Sequence, residues 1–192
     1  MSRICLVDFD DTLIRTDSLK SIMDLEYWLC SPSLFAAGVK LFFCRALHKG
    51  EAGARNSFKK GMLRRYYELP EERVDSYVES LKAKLNTEVV DKIKAENYDR
   101  IIVISASEEN LIRRVLEGVF DEIDVIANSL EEGVEFRTCY GAEKVRRLAE
   151  FMPDYSEHDI EVYTDSMSDR PLMEIAGHSY IVSEEGITEV TL

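Results

Sequence analysis

The stretch ICLVDFDDTL, residues 4–13, decides how the rest of the chain is read. Its first residues, Ile4 to Val7, are apolar and have the makings of a buried strand. Three carboxylates follow within four positions: Asp8, Asp10 and Asp11. Like charges this close repel one another, and burial at the end of a core strand makes the repulsion worse. In an open α/β sheet, however, the carboxyl ends of the strands are where ligands bind. The stretch therefore predicts a first strand that ends in chemistry rather than in a turn alone.

Working outward, four more short runs read as strands: RIIVIS (residues 100–105), IDVIA (123–127), DIEVYTD (159–165) and SYIVS (179–183). Between them lie helical spacings. One helix places Ile112, Val115, Leu116 and Val119 on one face, another Val145, Leu148, Ala149 and Met152, and DRPLMEIA supplies a third. Residues 129–138 read as a hairpin, with Gly133 in or near its turn. Strands alternating with helices imply a parallel sheet wrapped on both faces, a Rossmann-like three-layer α/β core.

The first connection breaks the rhythm. A βα loop usually takes two to six residues or so, yet residues 16–97 carry helical patterns only. Ser18 can cap a helix bearing Leu19, Ile22, Met23 and Leu29. Pro32 breaks it, and an apolar helix follows. His48-Lys49-Gly50 reads as a turn. A basic helix spans 52–67, another carries Val74, Tyr77, Val78, Leu81 and Leu85 after Pro70, and a short one spans 88–96. The economical division is a discontinuous core of residues 1–15 and 98–192, with a helical cap of residues 16–97 inserted after the first strand.

Composition narrows the partners. Acidic residues outnumber basic ones, 37 to 24, for a net charge of −13, which argues against nucleic acid and against contact with an anionic membrane. The cysteines (Cys5, Cys30, Cys44, Cys139) form no CxxC pair and lie far from His48, His158 and His178, so neither a zinc site nor disulfides are expected. Met1-Ser2-Arg3 runs straight into a strand pattern without a leader, which makes a cytoplasmic protein the expectation. SLFAAGVKLFFCRAL (residues 33–47) is the most apolar run, but Lys40 and Arg45 interrupt it and it falls short of the roughly 20 residues of a membrane span. It reads as a buried or interface helix, with an apolar substrate pocket, a dimer face and membrane contact as the other readings.

Four polar features fall where this topology gathers its strand ends: Asp8-Phe9-Asp10, Ser105, Lys144 at a helix start, and TDSMSD with Asp165 and Asp169. DFDDTL, VISAS, Lys144 and YTDSMSD resemble, in order, the four motifs of the haloacid dehalogenase-like hydrolases. Asp8, Asp10 and Thr12 match the pattern DxDx[TV] of the first. The helical insertion and the ending DSMSDRPLMEIAGHSYIV are most similar to the phosphoserine-phosphatase-like branch. The resemblance implies a Mg²⁺-dependent phosphatase acting on a small-molecule phosphate monoester. Asp8 would be the nucleophile and form an aspartyl-phosphate. Asp10 would protonate the leaving alcohol and later deprotonate water. Asp8, Asp165 and the backbone carbonyl of Asp10 would hold the metal, and Asp169 would sit at its edge or hold Lys144. Ser105 and Lys144 would bind the phosphoryl oxygens.

Bland readings stand beside these. Asp11 suits a solvent-facing turn, Thr12 a structural role in that turn, and Ser105 a helix cap before SASEEN. The resemblance also implies an acidic residue and a cap arginine that read the substrate. Asp17 falls at the acidic position, though it also suits a helix cap; Arg64 and Arg65 are candidate arginines. The aromatics Tyr27, Trp28, Phe35, Phe42, Phe43, Phe58, Tyr66 and Tyr67 read mostly as the cap's own core. Three other functions compete. A phosphotransferase or mutase would share every motif. A receiver-like phospho-signalling module would take its acidic pair and its phosphorylated aspartate from different strands and lack the insertion. A non-catalytic binding protein would not need the full set of catalytic groups.

Overall fold

The computed structural model describes residues 2–19, 31–47 and 49–192. Ile22, Met23, Tyr27, Trp28, Leu29, Cys30 and His48, named above, lie outside the described residues. The described elements run β1 (Arg3–Val7), α1 (Pro32–Ala46), α2 (Glu51–Tyr67), α3 (Glu71–Lys82), α4 (Thr87–Ala95), β2 (Arg100–Glu108), α5 (Glu109–Leu116), β3 (Asp124–Asn128), α6 (Ala142–Phe151), β4 (Asp159–Thr164), the single turn α7 (Arg170–Met173), β5 (His178–Ser183) and β6 (Gly186–Val190).

The six strands form one sheet in the order β3-β2-β1-β4-β5-β6. β1 is central, parallel to β2 on one side and to β4 on the other. Only β6 is antiparallel, paired to β5. Because strand side chains alternate, β1 feeds two cores. Cys5 and Val7 join the cluster packed under α3, α4 and α5, which also takes in Leu34, Met62 and Leu63 of α1 and α2. Ile4 and Leu6 join the cluster under α6 and α7, with Leu148, Met152, Leu172 and Met173. The result is a mixed α/β core of three layers, with helices inserted between β1 and β2.

Helix boundaries follow local signals. Pro32 opens α1 at its first turn, where a missing N–H costs nothing. Glu108 caps α5, its carboxylate accepting from the Leu111 N–H at 2.7 Å.

Several expectations are corrected. Residues 129–138 form no hairpin: the segment makes a turn and then irregular chain. Its polar groups go to neighbours instead, since the Thr138 N–H donates to Asn56 Oδ1 and the Cys139 N–H to Asn128 Oδ1. Ser105 caps no helix, because β2 runs on to Glu108 and the cap falls there. Ser18 is itself helical, one step inside the expected cap position, and its hydroxyl meets Ser107 Oγ at 2.7 Å. Leu85 and Val119 lie past the ends of α3 and α5. β6, with none of its five residues buried and no apolar run, has no strand signal in sequence.

Candidate active site

The carboxyl edge of β1 stands between the carboxyl edges of β2 and β4, so three strand ends open into one cleft of about 430 Å³. Asp8 follows Ile4 and Leu6 in the strand alternation and lies beside α6. There Lys144, in the first turn and only 2 % exposed, places Nζ 3.1 Å from Asp8 Oδ1 and 2.6 Å from Asp169 Oδ2. Gly141 enters α6 at φ +57°, a backbone that suits glycine. Thr164 Oγ1 also donates to Asp169 Oδ2 at 2.9 Å. Burial works against the Lys144 charge, but the Asp8 and Asp169 carboxylates outweigh it and hold the ammonium above its ordinary value. Burial also pushes the Asp8 carboxyl up, while Lys144 opposes the rise. Asp8 Oδ1 further accepts the Phe9 N–H at 2.8 Å.

Asp10 has different surroundings. Its Oδ1 accepts the Ser18 N–H at 2.8 Å, and its Oδ2 accepts a close hydrogen bond from the Ser107 hydroxyl. Burial, with the Asp17 charge second, raises its pKa to about 6. Lys59 and the two hydrogen bonds act in the opposite direction. Ser107 reaches Asp10 because β2 leaves its ladder with β3 after Ile104 and rejoins it at Glu108. Such irregularities re-aim side chains at strand ends. Ser105, buried, accepts the Ser107 N–H at 3.1 Å within the same irregularity.

Asp11 occupies the left-handed region at φ +54°, which aspartate tolerates better than most side chains, and its exposed position suits a turn. Thr12 is buried, but its hydroxyl has no hydrogen-bond partner among the described residues, so any shaping of the turn falls to its backbone. The Thr12 carbonyl accepts Asn86 Nδ2 at 3.1 Å.

Asp165 directly follows β4, beside this group in the same cleft, and keeps part of its surface in solvent. Burial, then the charges of Asp8 and Asp11, raise its pKa to about 6. Asp169 Oδ1 is buried and without a partner among the described residues. Crowded carboxylates with raised pKa values and an unsatisfied buried oxygen suit a hard divalent cation. Among the described residues no three His, Cys, Asp or Glu side chains converge on one point, so a cation here would need backbone oxygen and water to complete its shell.

The cleft gathers Asp8, Asp10, Asp17, Ser105, Lys144, Asp165 and Asp169. It does not include Arg64 or Arg65. Arg64 shares the face of Lys60, one helical turn earlier, and lines a separate groove with residues 129–137. Arg65, near the end of α2, pairs with Glu68 at 2.6 Å in solvent. The inward side of α2 instead presents Arg55, Phe58, Lys59 and Met62, and α1 adds Leu41 and Arg45. The Arg55 guanidinium lies 3.7 Å from the centroid of Tyr140, another cleft residue, and its Nε is buried without a partner among the described residues. The recurrence of 55, 58/59 and 62 is a helical signal, but it does not say which face meets the cleft. A larger groove, about 1140 Å³, lies at the opposite edge, where β2 and β3 begin. None of the strand-end carboxylates reaches it, so it is not the candidate site.

Comparison with known proteins agrees with this fold. A family profile described as haloacid dehalogenase-like hydrolase matches residues 5–174. A protein of unknown function from Bordetella pertussis Tohama I superposes with a TM-score of 0.66 at 17% identity, covering 93% of this chain and 89% of that one. A phosphoserine phosphohydrolase-like protein from Francisella tularensis subsp. tularensis SCHU S4 gives 0.56 at 17% identity, covering 93% and 86%. The putative HAD-hydrolase YfnB from Bacillus subtilis, bound to magnesium, gives 0.51 at 15% identity, covering 93% and 87%. At these identities the likeness is one of fold. No curated protein matches the chain.

Proposed function

This chain belongs to the haloacid dehalogenase-like hydrolases, and on that premise we propose that it is a Mg²⁺-dependent phosphatase of small-molecule phosphate monoesters. The observation that carries the reading is the unlike pair at the end of β1. Asp8 is ion-paired to Lys144 at 3.1 Å, while Asp10, two residues on, is held by Ser107 and the Ser18 N–H with its pKa raised to about 6. Two carboxylates whose environments differ in this way divide into a nucleophile and a proton carrier.

In the first step Asp8 Oδ2 attacks phosphorus, because Oδ1 is engaged by Lys144 and the Phe9 N–H. The Oδ2–P bond forms and the ester P–O bond breaks. Asp10 gives its proton to the departing oxygen. In the second step Asp10 takes a proton from the water that attacks phosphorus, the Oδ2–P bond breaks and inorganic phosphate leaves. Lys144 and the Ser105 hydroxyl hold phosphoryl oxygens, and Asp169 fixes Lys144 at 2.6 Å. Asp8, Asp165 and the backbone carbonyl of Asp10 would hold Mg²⁺, with Asp169 at its edge. When bound, the cation supplies charge neutralisation at the transferring phosphoryl group. The leaving group would lie under α1 and α2, among Arg45, Arg55, Lys59, Phe58 and Met62, with Asp17 at the rim. Phosphoserine is one member of that class.

The test is phosphate release from a panel of phosphate esters and a generic aryl phosphate, with Mg²⁺ and with chelator. Release that needs Mg²⁺ supports the reading; release unaffected by chelator, or none from any ester, contradicts it.

A further inference from the structure

The helix pair α1 and α2 carries a charge opposite to that of the whole chain. Residues 32–67 hold eight lysines and arginines against one acid, Glu51, so the segment is +7 in a chain of −13. Net charge argues against an anionic partner only if it is spread evenly. Exposed charges beyond about 8–10 Å are screened, so the local face decides.

α1 is apolar on two opposite sides. Inward, Leu34 and Leu41 are buried, and a Cβ on Gly38 would lie 3.2 Å from the Phe58 ring. Outward, Val39, Phe42, Phe43 and Leu47 recur at spacings of three and four and form one stripe. Phe42 is 69% and Leu47 68% exposed. The Phe42 and Phe43 rings meet edge to face, 5.8 Å apart. Exposed Lys40 and Lys49 flank the stripe, and no acid occurs from residue 32 to residue 50. A helix apolar all round is usually buried on every side or inserted in lipid. α1 has 15 residues, and no described helix is long and apolar enough to cross a membrane. A short helix with an exposed aromatic and aliphatic stripe and a cationic margin suits the plane of the membrane interface.

We propose that α1 docks the protein on an anionic lipid bilayer. The stripe of Val39, Phe42, Phe43 and Leu47 enters the headgroup boundary, and exposed Lys40 and Lys49 meet anionic headgroups. A second copy fits less well: a two-fold interface on this stripe would set two faces of like charge against each other. A nucleic acid would meet the charge and leave the aliphatic side chains in water. The docking is independent of the proposed phosphatase activity, since it is read by binding alone.

The test is cosedimentation of the full chain with phosphatidylcholine vesicles, with and without phosphatidylglycerol. The native protein is expected to pellet with the anionic vesicles, to stay in solution with phosphatidylcholine alone, and to be released by salt. Each lysine near an anionic surface is worth about fivefold in partition, so Lys40→Glu/Lys49→Glu lowers binding by roughly 25-fold or more. Phe42→Ser/Phe43→Ser removes it while the far-ultraviolet circular dichroism stays native. The lysine variant alters surface charge only and decides the matter if the phenylalanine variant misfolds. The proposal is overturned if the native chain ignores anionic vesicles, or if both variants bind as it does. A dimer in the ultracentrifuge that Phe42→Ser/Phe43→Ser dissociates, or binding to an RNA oligonucleotide but not to vesicles, would assign the stripe elsewhere.

Discussion

Asp8 and Asp10 leave the same strand end and meet opposite fates. Asp8 is set against a buried ammonium, whereas Asp10 relies on a hydroxyl and a backbone N–H. Substituting Asp8→Asn keeps the size and removes the attacking oxygen's charge, so turnover should fall on the order of 10⁴-fold or more while the fold persists. Steady-state kinetics beside circular dichroism check this. Asp10 makes a separate pH prediction for the metal-free protein. Its folded pKa of about 6 lies above the ordinary aspartate value of 3.8. Between these values the folded state holds a proton that the unfolded state has lost. Stability therefore falls as pH rises from about 4 to about 6, by an amount on the order of 3 kcal/mol from this group. Denaturant unfolding in chelator across that range should show the decline, and Asp10→Asn should reduce it, leaving the part that Asp165 contributes with the same sign. At this scale the sequence was legible where residues sit at strand ends, because a parallel sheet collects its carboxyl ends at one edge. That is how Ser105, Lys144, Asp165 and Asp169 come to share a cleft with Asp8. Ser107 was hidden: only the irregular register of β2 tells which serine of SAS turns to Asp10.

Elements were legible in proportion to their burial. The central strands read as apolar runs because both faces are covered, and α3 and α4 read as helices because their buried residues recur at three and four. β6 and residues 129–138 were not, since neither carries a covered face to impose a period. The inward side of α2 was ambiguous for a different reason. Lys60 and Arg64 follow the same helical spacing as Arg55 and Lys59, and only the packing of α2 against α1 and the core decides which pair meets the cleft. Glu108 joins three elements: it ends β2, caps α5 through Leu111 at 2.7 Å, and accepts the Tyr67 hydroxyl of α2 at 2.9 Å. Glu108→Ala removes the cap and leaves the buried Leu111 N–H without its acceptor, so it should destabilise by about 1–3 kcal/mol. Glu108→Gln retains an acceptor and should cost less. Thermal unfolding of the two variants distinguishes them.

As a whole the molecule separates charge. The strand-end carboxylates face α1 and α2, whose segment is positive within an acidic chain. Any cation that binds the folded state alone must stabilise it. At free Mg²⁺ tenfold above its Kd the gain is about 1.4 kcal/mol, and the resulting rise in Tm should vanish in Asp165→Asn. Whether Asp8 carries the phosphoryl group is tested by trapping. Turnover of a good substrate is quenched in acid and treated with borohydride, which reduces an acyl phosphate to an alcohol and leaves homoserine in its place. Homoserine is expected at residue 8, formed only with substrate and Mg²⁺ and absent from Asp8→Asn. Its appearance at Asp10 or Asp165 instead, or at no residue during active turnover, would contradict the assignment of Asp8.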